Sequence, residues 1–261
     1  MHTPVPAFGE MIRDWRQRRR MSQLDLACEA EISTRHLSFL ETGRSAPSRE
    51  MVLHLCEHLE TPLRERNRLL LAAGFAPAFA VRGLDDPDLG PARAALERLL
   101  KAHEPWPALA IDRGWNLVAA NGAVGPLIAG VSPSLLAAPI NVLRLSLHPE
   151  GLAPRIENLG EWRGHLLHRL RGQIADTGDR SLAELHDELA AYPALSHDPF
   201  RRRAEDALAV PLRLRFEDSI LAFWSTTLVF GAPLDVTVSE LTLETFLPAD
   251  EATAAYLSGT V

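Results

Sequence analysis

The stretch SQLDLACEAEISTRHLSFLETG, Ser22 to Gly43, constrains the fold most, because it reads as two short helices with a tight turn between them. Ser33 is placed to cap the second helix, its hydroxyl accepting from a backbone N–H that the helix start leaves unpaired. Ile32 and Leu37 occupy the N′ and N4 positions of a hydrophobic staple, and Leu37 and Leu40 point together toward a core. Thr34, Arg35, Ser38, Phe39 and Thr42 recur at helical spacing on the opposite face, and Gly43 supplies a left-handed stop. A short helix held by its N-terminus, with a mixed polar and apolar outer face, meets the demands of reading a major groove.

The surrounding pattern extends this pair into a small helical domain. Phe8, Met11, Ile12 and Trp15 mark one face of a preceding helix, followed by Arg16, Arg18, Arg19 and Arg20. Ser22 opens the next helix, with Leu24 and Ala27 expected inward. Ser48 caps a fourth helix bearing Val52, Leu55, Cys56 and Leu59, and Leu63 to Ala73 form a fifth, ended by Gly74 and Pro77. Residues 1–78 are therefore expected to be all-α. The Pro-, Gly- and Asp-rich run that follows reads as a linker over 79–94.

Charge divides the chain in the same way. Residues 1–80 hold 11 Arg against 10 Asp and Glu, whereas the remainder holds 16 basic and 24 acidic residues, for a net charge of −7. That asymmetry suits a nucleic-acid module joined to an acidic domain. Cys28 and Cys56 fall within apolar helical patterns and read as reduced core thiols. No apolar run opens the chain, and none approaches the roughly 18 residues of a membrane span, so a cytoplasmic protein with no membrane partner is expected.

Residues 95–261 change character. A helix leads into ALAIDRGWNLVAAN, a strand, an Asp-Arg-Gly turn and a second strand. A helical middle runs from about Asn141 to Tyr192, with Ile156, Leu159, Trp162, Leu166, Leu170 and Ile174 close to one face. VPLRLRF, ILAFWSTTLVF and DVTVSELTLETFL then read as three antiparallel strands before a short final helix. The expected class is α+β, a five-stranded antiparallel sheet with helices on one face and room for a pocket between the layers.

Two resemblances follow. Ser22-Gln23, Ser33, Leu37-Ser38, Leu40-Glu41, Gly43 and Pro47 resemble the helix-turn-helix of the xenobiotic-response-element (XRE) family, related to lambda-type phage repressors, over about residues 8–75. The resemblance implies a lambda-repressor-like domain bound to double-stranded operator DNA. It places Thr34, Arg35 and Phe39 at base edges, where Arg35 would bond guanine O6 and N7. Ser33 and Ser38 belong to the same interface, while Gln23, Thr42 and Arg44 would face phosphates and set register. Phe39 departs from the usual polar residue and fits two readings, cover for a thymine methyl or an apolar surface hidden by a second copy. Glu41 points back toward the domain and suits a first-helix arginine.

The second half resembles the MmyB-like ligand-binding domain over about residues 96–250. The resemblance is carried by Asp112, Trp115, Asn121, Ala123, Asn141, Leu143, Arg144, Pro149, Trp162 and the LLHRLR run. Ala120 stands where the family has an aromatic residue. The resemblance implies a PAS-like fold and an apolar, fatty-acid-like ligand, with no other cofactor expected. Arg144, between Leu143 and Leu145, needs an anionic partner, which a ligand carboxylate or an acidic side chain of the same domain would supply. Trp115, Trp162, Phe223 and Trp224 suit a pocket lining, and core packing accounts for them as well. Asn121, His165 and Leu166 complete the candidate ligand contacts.

An enzyme is not expected, since HExxH, GxSxG, CxxC and a phosphate-cradling glycine loop are all missing. Glu161, His165 and His168 share a helix face at a spacing metal ligands can use, but the sequence places no further ligand, and no metal is expected. The chain reads as a homodimeric, ligand-responsive transcription regulator. The alternative is a helix-turn-helix interaction protein whose C-terminal domain serves as a dimerisation scaffold.

Overall fold

Serine hydroxyls start the second, third and fourth helices where the sequence places them. The computed structural model describes residues 7–193 and 209–259. Ser22 and Asp25 form a reciprocal capping box at the start of α2 (Gln23–Glu29), Ser33 Oγ accepts from His36 N at 3.1 Å ahead of α3 (Thr34–Glu41), and Ser48 caps α4 (Arg49–His58). With α1 (Phe8–Arg18) and α5 (Leu63–Ala72) they enclose a core built on Ile12, Leu26, Leu37, Leu40, Leu55 and Leu69. Gly43 ends α3 at φ +71°, as the left-handed stop requires. Gly9 lets α1 approach the end of α3, because a Cβ there would lie 2.5 Å from the Leu40 carbonyl oxygen.

Two expectations in this unit are corrected. Leu24 is 60% exposed, and Leu26 takes the inward position beside Ala27. Cys28 is exposed on α2, while Cys56 is buried, its thiol pushed up by burial.

The chain forms two units: Met1–Arg82 with Pro233–Ser239, and Gly83–Ala232 with Glu240–Val261. Part of the stretch read as a linker over 79–94 is held by hydrogen bonds within the first unit. Asn67 Oδ1 accepts from Ala78 N and Phe79 N, each at 3.0 Å, and Val236 N donates to Ala80 O at 2.9 Å. Farther along, Asp86 caps a 3-10 turn over Pro87–Leu89 that runs directly into α6 (Gly90–Ala102).

The second unit carries a five-stranded antiparallel sheet of order β2-β1-β5-β4-β3. Its strands are β1 (Ala108–Ile111), β2 (Leu117–Ala120), β3 (Leu212–Phe216), β4 (Ser219–Val229) and β5 (Thr242–Pro248). The last expected strand starts later than read, because Asp235 Oδ1 accepts from Thr237 N at 2.8 Å and turns the chain into α11 (Val236–Ser239). Between β2 and β3 come α7 (Val124–Leu127), α8 (Val142–Leu147), α9 (Leu159–Thr177) and α10 (Arg180–Ala191), and α12 (Glu251–Leu257) follows β5. Leu159, Trp162, Leu166 and Leu170 of α9 are buried against the sheet's inner face, in one core with Leu214, Leu221 and Phe223. Among the described residues, no helix is long and apolar enough to cross a membrane.

Candidate functional site

On α3 the outward residues are Thr34, Arg35, Ser38, Phe39 and Thr42. Thr34, Arg35, Thr42 and Arg44 are exposed, and Ser38 and Phe39 are half-buried. Arg35 and Arg44 flank the Phe39 ring, their guanidinium carbons 5.2 and 5.9 Å from its centroid. A cation over an aromatic face is attracted by the ring quadrupole, so Phe39 organises two positive charges at the edge of the helix. Thr42 Oγ1 donates to Ser38 O at 2.7 Å, and the Ser33 hydroxyl serves as the cap.

Behind this face lies a buried ionic support. Arg16 Nε and Nη2 donate to Glu41 at 2.7 and 3.0 Å, and Gln23 Nε2 donates to the same carboxylate at 2.7 Å. Gln23, read as a phosphate contact, thus directs its amide at Glu41. Burial pushes the Glu41 carboxyl up, but hydrogen bonds from Arg16 and Gln23 and the charges of Arg16 and Arg13 outweigh it and hold the group below its ordinary value. The cluster Arg16, Arg18, Arg19, Arg20 is therefore divided. Arg16 binds Glu41, and Arg19 donates to the carbonyls of Leu59 and Glu60 that end α4.

The second unit holds an apolar cavity of about 110 Å³ between the inner face of its sheet and α8 and α9. Trp115, Leu143, Trp162, Leu166, Phe223 and Phe246 form much of its wall. Trp115 reaches it through a left-handed backbone, φ +64°, a conformation a bulky residue adopts only when its surroundings impose it. Asp112 imposes it: Oδ1 accepts from Gly114 N at 2.8 Å and Asn116 N at 2.9 Å, folding the turn. The indole is then fixed by Nε1 donating to Gln173 Oε1 at 2.7 Å.

Three polar side chains interrupt this lining, Arg169 of the LLHRLR run, Glu244 and Ser146, and none of them is among the ligand contacts expected from the sequence. Arg169 of α9 donates to both oxygens of Glu244 on β5, Nη1 at 3.1 Å and Nη2 at 2.6 Å, and lies 4.9 Å from the Trp115 ring centroid. Ser146 of α8 accepts from Trp162 Nε1 at 3.0 Å.

The other candidate ligand contacts lie elsewhere. Arg144 pairs with Glu188 of α10 at 2.7 and 2.8 Å and does not line the cavity. Asn121 uses its amide on backbone, accepting from Ala108 N at 3.1 Å and donating to Trp106 O at 2.8 Å and Leu100 O at 3.2 Å. Trp224 faces the opposite side of the sheet, opposite Leu247, and is 38% exposed, because alternation along β4 turns it away from Phe223. His165 packs on Trp162 with ring centroids 5.5 Å apart, outside the lining, and burial first and the Arg169 charge second lower its pKa. Among the described residues, no cluster of His, Cys, Asp and Glu is arranged to hold a metal ion.

Comparison with known families agrees with this division. Residues 92–258 match the model of the MmyB-like transcription regulator ligand binding domain, and residues 7–69 match that of a helix-turn-helix domain. No curated protein matches the chain significantly.

Proposed function

Because the chain belongs to the MmyB-like transcription regulator family, with a helix-turn-helix domain ahead of the ligand-binding domain, we propose that it binds operator DNA as a homodimer under control of a small acyl-type ligand. The observation that carries this reading is the cavity behind Trp115 and Trp162, whose wall is apolar apart from Arg169, Glu244 and Ser146. A cavity of about 110 Å³ is somewhat smaller than the roughly 150 Å³ engineered cavity that stays dry and takes up benzene. It suits a short acyl chain, whose transfer from water gains roughly 25 cal/mol per Å² of apolar surface buried.

On the DNA side, α3 enters the major groove with Arg35 and Phe39 toward base edges, and Thr42 and Arg44 toward phosphates. One recognition helix buries little surface, so two copies act on a pseudo-palindromic site in the cytoplasm. A gel shift with the upstream region of its own gene, repeated across salt concentrations and with added acyl compounds, tests the reading. Binding must weaken steeply with salt, because phosphate neutralisation dominates it. Salt-independent binding, or an operator affinity that no acyl compound alters, would leave a helix-turn-helix interaction protein with a scaffold domain.

A further inference from the structure

Resting on the reading that this cavity takes an apolar ligand, we propose that it selects a neutral ligand carrying one hydrogen-bond acceptor, such as a ketone, ester or amide carbonyl, and discriminates against free carboxylates. Three polar groups stand in its wall, Arg169, Glu244 and Ser146. Arg169 is the only cationic side chain among the lining residues described, and both its terminal nitrogens bond Glu244. Glu244 is only 4% exposed and accepts a further bond from Thr227 Oγ1 at 3.1 Å, so its charge is fixed beside the cavity. A ligand carboxylate near Arg169 would have to displace Glu244 or leave two anions together in an apolar enclosure, which costs more than the guanidinium repays. Burial and the Arg169 charge hold the His165 ring, packed on Trp162, below its ordinary pKa, which disfavours a positive charge there.

Ser146 supplies the complementary group. Its oxygen accepts from Trp162 Nε1 at 3.0 Å, and among the described residues no acceptor takes its own proton. That proton is left for an acceptor in the cavity, polarised by the bond its oxygen already accepts. The cavity therefore offers the Ser146 hydroxyl as a donor, and the one charge in its wall is already compensated.

Octane, 2-octanone and octanoate share a chain and differ only in the end group. Titrating each into the full-length protein at pH 7 by tryptophan fluorescence should rank octanone about fivefold tighter than octane, the worth of one neutral hydrogen bond. Octanoate should be weakest. Ser146→Ala should bring octanone down to the octane value, and Glu244→Gln should strengthen octanoate on the order of tenfold by freeing the Arg169 charge. Octanoate binding tightest to the unaltered protein, or an octanone-to-octane ratio untouched by Ser146→Ala, would overturn the proposal while leaving the apolar-ligand reading intact. Failure of all three compounds, octane included, would overturn both.

Discussion

Both oxygens of Glu188 accept from the Arg144 guanidinium, Oε1 from Nε at 2.8 Å and Oε2 from Nη2 at 2.7 Å. The Tyr192 hydroxyl donates to Oε1 of the same carboxylate at 2.7 Å. The arginine that stands between two leucines in the sequence thus finds its anion on α10. It ties α8 to α10 instead of reaching the cavity. The hydrogen bond from Arg144 lowers the Glu188 pKa, and burial together with the bond to Glu188 pushes Tyr192 up to about 12.

Arg144→Leu should accordingly leave the affinities for octanoate and octanone unchanged within twofold. The pair is about two-fifths exposed on each side, so its loss should cost no more than about 1 kcal/mol in urea unfolding. Tyrosinate absorbance offers a second check, since the Arg144 charge lowers the Tyr192 pKa and its removal, with Glu188 left in place, should move the Tyr192 titration further up. A selective loss of octanoate binding would return Arg144 to the head group.

On the DNA side, Arg35→Ala should relax preference at one or two operator positions, a loss of about 1–3 kcal/mol in discrimination. Arg44→Ala should weaken all sequences about equally. Because Phe39 lies between the two guanidinium groups, Phe39→Ala should lose both properties in part. Competition binding against an operator library measures all three. An unchanged ranking for Arg35→Ala would mean that α3 does not read bases.

The Arg16–Glu41 pair predicts an acid dependence. Its sign follows from the lowered Glu41 pKa: the stabilisation is fully present above the unfolded carboxyl value near 4.5 and disappears as pH falls through the lower folded value. Glu41→Gln leaves Arg16 buried without its anion and should cost about 3 kcal/mol at pH 7 in denaturant unfolding. Relative to the unaltered chain, the variant should lose less stability between pH 5 and pH 3. An equal loss over that interval would assign the acid sensitivity to other groups.

What could be read from the residues alone depended on whether the signal was local. The caps at Ser22, Ser33 and Ser48, the Gly43 stop and the inward set on α9 are properties of spacing within a few residues, and each stands in the structure. The cavity's polar groups are pairings over long sequence distances: Arg169 and Glu244 are 75 residues apart, and Trp115 and Gln173 are 58. A trace of the first pair was nevertheless visible. Arg169 follows Trp162 and Leu166 at i+7 and i+3 on the apolar face of α9, and Glu244 shares the strand parity of Phe246. A charge on each of two apolar faces marks a buried pair. Arg144 gave the same local signal, and only the position of α10 decided its partner.

Occupancy of the cavity has a covalent route to the DNA-binding unit through the segment between β4 and β5. Phe223 on β4 and Glu244 and Phe246 on β5 line the cavity, and the segment joining those strands, Pro233–Ser239, is part of the first unit. There Asp235 accepts from Arg82 Nη1 at 3.0 Å, and Thr237 Oγ1 donates to Arg82 O at 2.6 Å. A ligand that shifts β4 or β5 therefore acts on a segment the first unit holds by specific bonds. If the ligand changes operator affinity by some factor, operator must change ligand affinity by the same factor. Asp235→Ala should bring that factor toward one while leaving ligand affinity without DNA, and operator affinity without ligand, within about twofold of the parent. Leu166→Trp gives a contrasting failure: the added ring occupies the cavity, ligand no longer binds, and operator affinity stays at its ligand-free value. Measuring both affinities with and without the other partner separates the two variants. A coupling factor unchanged by Asp235→Ala would rule out this segment as the route.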